Sequence, residues 1–359
     1  MKTRRFALLM PRAILLATLL LASTSHAVAN ALNELDSVAF PPSVDNEGIK
    51  TDALLVMKDG AITYQRYANG YHRDMPHIAW SISKSLTSLI LGTAVKEGRV
   101  RLDESVCEIQ PALVSLANCE IKMDHLLSWT SGLDVLEVYE GSTDRTASTV
   151  GQMLLGDGHK NIVSFHFGHR QRFTPGTHIY YSTGDSAMVI GILKGRYSAA
   201  EYADLPFRTL FRPLNASSAV FETDSSGHFM GGSGVFLSAY DLLKMGQLVL
   251  DDGVWKGTRL LPEGWIQFVT SPTEGERGVN VDGSYIPARS WWRPKLDEMG
   301  LAGDPNFPED IVMARGHWGQ YLIIIPSLKL VAVRLGQDQN RQLAMPAFLR
   351  ALVEYGRTK

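Results

Sequence analysis

The sequence predicts an α/β (α+β) fold, with one antiparallel sheet built from both chain ends, helices flanking it, and a mainly helical subdomain inserted in the middle. Strand pairs read as hairpins near both ends, at 53–64 and 321–333, and helix-period patterns dominate the residues between them. No repeat, low-complexity stretch or linker divides the 359 residues, and a composition of 45% hydrophobic and 20% charged residues suits one large core. The expected organisation is a leader over 1–27 and one domain over 28–359. Its sheet subdomain takes about 45–80 and 220–359, and its helical subdomain about 81–219.

The first residues stand apart. Lys2, Arg4 and Arg5 make a basic start, and Ala13 to Ala22 is apolar but short for a bilayer span. Small residues follow at Ser25-His26-Ala27 and Ala27-Val28-Ala29, so a secretory leader cleaved near Ala27 or Ala29 is expected. The alternative, an uncleaved anchor, is opposed by Arg12 within the apolar stretch. The expected destination is the periplasm or the medium, with no stable membrane insertion after cleavage. Cleavage removes Lys2, Arg4, Arg5 and Arg12 from a chain of formal charge −2, leaving −6. A mildly acidic protein without a basic stripe does not suit nucleic acid. For an exported protein, Cys107 and Cys119 read either as a disulfide or as two buried thiols.

In the first hairpin, Ala53 to Met57 and Ala61 to Tyr64 are strands joined at Lys58-Asp59-Gly60. In the second, Tyr321 to Ile325 and Lys329 to Val333 flank Pro326-Ser327, and Pro346 then opens a last amphipathic helix. Helices are predicted for Leu86 to Val95 (closed by Gly98), Met123 to Trp129, Thr149 to Leu155, Thr183 to Leu193 and Ser238 to Leu250. A cleft between sheet and helical region is the expected site.

Ser81-Ile82-Ser83-Lys84 opens the first of these helices. If the helix begins near Ser81, Lys84 lies one turn along the same face, at the positive end of the helix dipole. A serine hydroxyl is a poor nucleophile until a neighbour takes its proton, and a desolvated lysine can do so. Ser83 and Ser85 point elsewhere, and Ser88 lies a turn deeper. The four-residue pattern is common, so other segments must support it.

Pro175-Gly176-Thr177 leads through a turn to Tyr181, where a phenol can relay protons, while Tyr180 beside it reads as core. Arg315-Gly316-His317-Trp318-Gly319-Gln320 runs into a strand. Its glycines allow close backbone approach, and an N–H there, with that of Ser81, would make an oxyanion hole. A histidine before a strand is more often structural, but the glycine flanks of His317 favour a place near ligand. Met230 to Val235, rich in glycine and without a phosphate-binding pattern, is expected to pack beneath the cleft.

These segments resemble the serine β-lactamase and penicillin-binding-protein superfamily, above all its class C-like esterase branch and the 6-aminohexanoate-dimer hydrolases. Ser81 and Lys84 match its S-x-x-K element, and Tyr181 its tyrosine element after a P-G-T turn. His317-Trp318-Gly319 matches the position of K-T-G on an edge strand. Asp124 to Leu133, Gly234 to Leu250 and Arg315 to Val333 resemble further segments, so the likeness spans about Ala53 to Leu335. It implies a β-lactamase/transpeptidase-like fold with Ser81, Lys84 and Tyr181 catalytic, and Thr183, His317, Trp318 and Gly319 at the substrate and oxyanion positions.

Two departures bear on substrate. Thr183 stands where penicillinases of this branch have asparagine, and His317 stands where K-T-G has lysine. Both favour a small-molecule ester or amide over a β-lactam. Residues between Asp134 and Gly176 are expected to shape the acyl pocket, with His317 and Trp318 on the leaving-group side and Trp291 and Trp292 as apolar wall. No metal or organic cofactor is expected, since no carboxylate pattern completes a zinc set around His166 and His169. An α/β-hydrolase is disfavoured by the lack of a G-x-S-x-G elbow. The other readings are a β-lactamase or D-Ala-D-Ala carboxypeptidase using the same groups, and a ligand-binding protein with a retired site.

Overall fold

The computed structural model describes residues 27–42, 48–139, 148–339 and 343–358. The expected leader, up to residue 26, lies outside the described residues, as do residues 140–147 of the segment expected to shape the acyl pocket.

Seven strands make the main antiparallel sheet: β1 (Thr51–Lys58), β2 (Ala61–Tyr67), β3 (Tyr285–Pro287), β4 (Trp292–Pro294), β5 (Val312–Gly316), β6 (Gln320–Ile325) and β7 (Leu330–Gly336). Their order is β3-β4-β5-β6-β7-β1-β2, so the two chain ends meet where Leu55 faces Val333 and Met57 faces Val331. Both predicted hairpins are present, and the second turns through a 3-10 segment, Pro326–Leu328. Strands β3, β4 and β5 extend the sheet beyond the expected four.

The helices that matter most are α1 (27–39), α2 (Ile82–Lys96), α3 (Met123–Leu127), α4 (Thr183–Gly191), α5 (Ala239–Leu250) and α6 (Met345–Arg357). Side chains alternate across β1, so its Leu55 joins one core and its Leu54 and Val56 another. On the first face α5 lies close: a Cβ on Gly246 would sit 2.3 Å from Val331 Cγ1. Leu35 of α1 and Phe348, Leu349 and Leu352 of α6 cover the second face.

Helix α2 is buried from Ile82 to Ala94, which is why its sequence is apolar on every side. Gly98 ends it at φ +69°, with Gly98 N–H donating to Val95 O and Arg99 N–H to Ala94 O, both at 3.0 Å. Two predicted helix ends shift. The helix expected to reach Trp129 stops at Leu127, and the one expected to reach Leu193 stops at Gly191 and continues as a 3-10 segment. A three-stranded sheet of His77–Ile78, Val235–Leu237 and Val220–Phe221 also forms beside the site. Cys107 and Cys119 are joined by a disulfide. Among the described residues no helix is long and apolar enough to cross a membrane.

Candidate active site

The chain enters the site through Trp80, which holds a left-handed backbone at φ +47°. Such a conformation is costly for a residue with a Cβ and persists only where surroundings enforce it. Here the Trp80 ring meets His317 and Trp318 edge-on, each at 5.8 Å between centroids. The sharp turn leaves Ser81 as the N-cap of α2, so its hydroxyl is not spent on capping that helix.

One turn on, Lys84 is 1% exposed. Its Nζ lies 2.8 Å from Ser81 Oγ, 3.0 Å from Thr183 Oγ1 and 2.7 Å from Gly232 O. Burial pulls its pKa down to about 7, and the Glu137 carboxylate opposes that pull. The other serines of α2 are engaged. Ser83 Oγ accepts from Val235 N–H, and Ser85 Oγ donates to Ser290 O.

Thr183, the first residue of α4, ties in a second layer. Its N–H and hydroxyl both donate to the Glu137 carboxylate, the latter at 3.1 Å, and Tyr139 O–H donates to Glu137 at 2.6 Å. Burial raises the Glu137 pKa, with Lys84 opposing. Both members of this pair are thus pushed towards their neutral forms.

Tyr181 is set between Trp129 and Trp292, at 4.9 and 5.6 Å between ring centroids. Asn280 clamps its backbone, accepting from Tyr181 N–H at 3.1 Å and donating to Tyr181 O at 2.8 Å. The Tyr181 phenol lines the cleft beside Ser81. Burial raises its pKa, and the neighbouring Ser81 hydroxyl opposes the rise. The phenol therefore keeps its proton at neutral pH.

Across a cleft of about 380 Å³, His317, Trp318 and Gly319 form the turn between β5 and β6. Trp318 and Gly319 have φ of +57° and +84°. Tyr139, Trp292 and Arg315 complete the walls.

The family model described as Beta-lactamase matches residues 38–354. The chain belongs to the Beta-lactamase family. It is 26% identical over 289 residues to the 6-aminohexanoate-dimer hydrolase of Paenarthrobacter ureafaciens, covering 75% of this chain and 73% of that protein. Among solved structures, a provisionally named 6-aminohexanoate-dimer hydrolase of Bacillus anthracis superposes with a TM-score of 0.72 at 20% identity, over 87% of this chain and 80% of that one. EstCE1, described as a hydrolase with promiscuous acyltransferase activity, gives 0.65 at 15% identity, over 92% and 99%. At such identities the structural likenesses speak for the fold. The chain is a β-lactamase-fold hydrolase related to 6-aminohexanoate-dimer hydrolase.

Within this family fold, Ser81, Lys84, Tyr181 and Thr183 come together, and His317, Trp318 and Gly319 face them across the cleft. Two expectations need correction, and a third is extended. The His317-Trp318-Gly319 segment sits in a turn, and the strand before it, β5, is interior because β3 and β4 lie outside it. Trp292 lines the cleft, but Trp291 is buried beneath it, donating to Ser88 Oγ at 2.9 Å. The glycine-rich segment packs beneath the cleft and also supplies the Gly232 carbonyl to Lys84.

His166 bonds to Asp185 at 2.7 Å, and among the described residues no group of three or more His, Cys, Asp or Glu could hold a metal ion. Glu137 and Tyr139 fall within the segment expected to shape the acyl pocket, and Arg315 opens the 315–320 motif, but none of the three is singled out by the sequence. Asn280 reaches the site from 99 residues beyond Tyr181, with no local pattern to mark it.

Proposed function

We propose that the protein is an exported serine hydrolase that cleaves a carboxylic ester or small amide through an acyl-enzyme on Ser81. The observation that carries this reading is the 2.8 Å contact between Ser81 Oγ and a buried lysine of pKa about 7. A neutral amine has two N–H donors and one lone pair. Gly232 O can only accept, and the Thr183 hydroxyl already donates to Glu137, so both take a proton from Lys84. The lone pair is left for the Ser81 hydroxyl. Lys84 is therefore the first base.

Ser81 Oγ attacks the carbonyl carbon as Lys84 takes its proton. The oxyanion lies at the backbone N–H groups of Ser81 and of the turn just after His317. Collapse breaks the bond to the leaving alcohol or amine, which takes the Tyr181 proton, and the Lys84 ammonium, its Nζ 4.9 Å from the Tyr181 ring centroid, returns a proton to the phenolate. Water then attacks the acyl ester as Lys84 takes its proton, and Lys84 passes that proton to Ser81 Oγ, 2.8 Å away, as the acid leaves. No step in this sequence calls on a metal or cofactor.

Tyr139, Trp292 and Trp318 give the cleft flat apolar walls, while Arg315 and Asp282 give it charge, which suits a compact polar substrate. The relative that is a 6-aminohexanoate-dimer hydrolase makes short linear amides of amino acids, beside simple esters, the first compounds to screen. Export rests on the basic and apolar start of the chain, and amino-terminal sequencing of protein recovered outside the cytoplasm tests it.

The deciding experiment is intact-mass spectrometry of the protein mixed with a p-nitrophenyl ester, beside Ser81→Ala. An acyl adduct on wild type and none on the variant is expected. Nitrophenol release by a folded Ser81→Ala protein would refute the assignment.

A further inference from the structure

Behind the β5–β6 turn lies a polar cluster that the mechanism above does not use. Arg334 on β7 and Asp338 form a fully buried bidentate pair, with both N–O distances 2.7 Å. Gln320 at the start of β6 is fully buried too. A buried ion pair is seldom the cheapest way to hold a fold together, since desolvation offsets much of its attraction. Its hydrogen bonds show what it holds here.

Each carbonyl of the turn is engaged from behind. His317 O accepts from the Gln320 side chain at 3.0 Å. Trp318 O accepts from the same amide at 3.2 Å and from Asp338 N–H at 3.1 Å. Gly319 O accepts from the Arg334 guanidinium at 2.7 Å. Gln320 is locked in turn by exchanging hydrogen bonds with the Gly336 backbone, at 2.6 and 2.9 Å.

A trans peptide is planar, so a carbonyl held on one side aims the next residue's N–H to the other. The His317 and Trp318 carbonyls, drawn towards Gln320 and Asp338, turn the following amides of Trp318 and Gly319 away from that cluster, towards the cleft those two residues line. The approach is tight. A Cβ on Gly319 would sit 2.1 Å from Arg334, and one on Gly316 would sit 2.3 Å from Ala79 O in the segment leading to Ser81. The turn is thereby wedged between the buried pair and the backbone that carries Ser81.

We infer that Arg334, Asp338 and Gln320 are positioning residues that fix the amides of the His317–Trp318–Gly319 turn as one half of the oxyanion site. This rests on the acyl-enzyme reading. A donor displaced by about 1 Å is expected to cost on the order of 10²-fold in rate, while ground-state binding changes little.

The test uses Gln320→Met, which keeps volume and loses the amide, and Arg334→Lys, which keeps charge and loses the fork. Each full-length variant is assayed with p-nitrophenyl butyrate and with phenylboronic acid, whose tetrahedral serine adduct places an oxygen at the oxyanion position. Thermal unfolding is followed in parallel. The expected result is a folded Gln320→Met protein with kcat lower by about 10²-fold, KM near wild type, and boronate affinity weakened at least about tenfold. Gln320→Met decides the matter alone if Arg334→Lys does not fold. A folded variant with wild-type kcat and boronate affinity, beside a wild type that forms its Ser81 adduct, overturns the clamp alone. A wild type without an adduct overturns the acyl-enzyme reading and the clamp together.

Discussion

Lys84 and Glu137 are joined through one hydroxyl: Thr183 Oγ1 accepts from Lys84 Nζ at 3.0 Å and donates to Glu137 Oε2 at 3.1 Å. The hydroxyl cannot satisfy both partners in any other sense while the carboxyl is ionised. Its orientation therefore depends on Glu137, and the direction of the Lys84 lone pair depends on it in turn.

The pH dependence of kcat/KM should show an acid limb near pH 7. Burial lowers Lys84 to about 7, and only its neutral form can take the Ser81 proton. Activity should rise through that pH and not fall again until a second group titrates. Initial rates with a neutral p-nitrophenyl ester between pH 5 and 9 measure this, and a flat profile over that range would remove Lys84 as the base.

Glu137→Gln should move that limb to lower pH. The carboxylate opposes the burial that depresses Lys84, so its removal lets the lysine pKa fall further. A limb displaced upward, or left in place, would show that Glu137 does not act on Lys84.

Tyr181→Phe keeps the ring between Trp129 and Trp292 and removes the proton donor. The loss expected of a general acid is about 10²–10⁴-fold in kcat. The loss should be smaller for p-nitrophenyl esters than for amides, because nitrophenolate leaves without a proton. Equal losses for both would place Tyr181 outside leaving-group protonation.

Stability should carry the mark of Lys84 as well. Its folded pKa, about 7, lies below its ordinary 10.5, so between those values the unfolded chain holds a proton that the folded chain lacks. Wild-type stability should then rise with pH across that window relative to Lys84→Met, by at most about 1.4 kcal/mol per pH unit. Guanidinium unfolding of both proteins at pH 7, 8 and 9 reads the difference directly.

Cys107 and Cys119 close a short loop, with a sequence separation of 12. Replacing both by serine should cost roughly 3 kcal/mol through the freed loop entropy of the unfolded chain. Activity should survive, since neither residue lines the cleft. Denaturant midpoints with and without reductant check the first point, and initial rates the second.

Local chemistry decided what could be read from the sequence. The β1–β2 and β6–β7 hairpins carry runs of β-branched and apolar residues around turn signals, and α2 has an uninterrupted apolar stretch closed by Gly98. Ser81 and Lys84 are legible because one helix brings them together. Strands β3 and β4 have three residues each, too few to show alternation, and β5 ends in Arg315-Gly316. Glu137 and Tyr139 belong to an irregular segment, and tertiary packing against α4 and His317 gives them partners. A backbone carbonyl such as that of Gly232 leaves no trace in residue identity. The cluster behind the turn was equally invisible, since Gln320, Arg334 and Asp338 act on backbone carbonyls, and Arg334 also reaches Thr51 Oγ1 across 283 positions.

That same distance governs how the molecule comes into being. Strand β1 needs β7 on one side, and β7 is synthesised more than 270 residues later. Until then β1 presents an apolar edge with β2 as its sole neighbour in the sheet. The seven-stranded arrangement therefore closes only after Gly336 has been synthesised, a slow event for contacts so far apart. A nascent chain held open that long offers holdases an extended substrate, and Ser81 acquires its surroundings only when β6 and β7 dock.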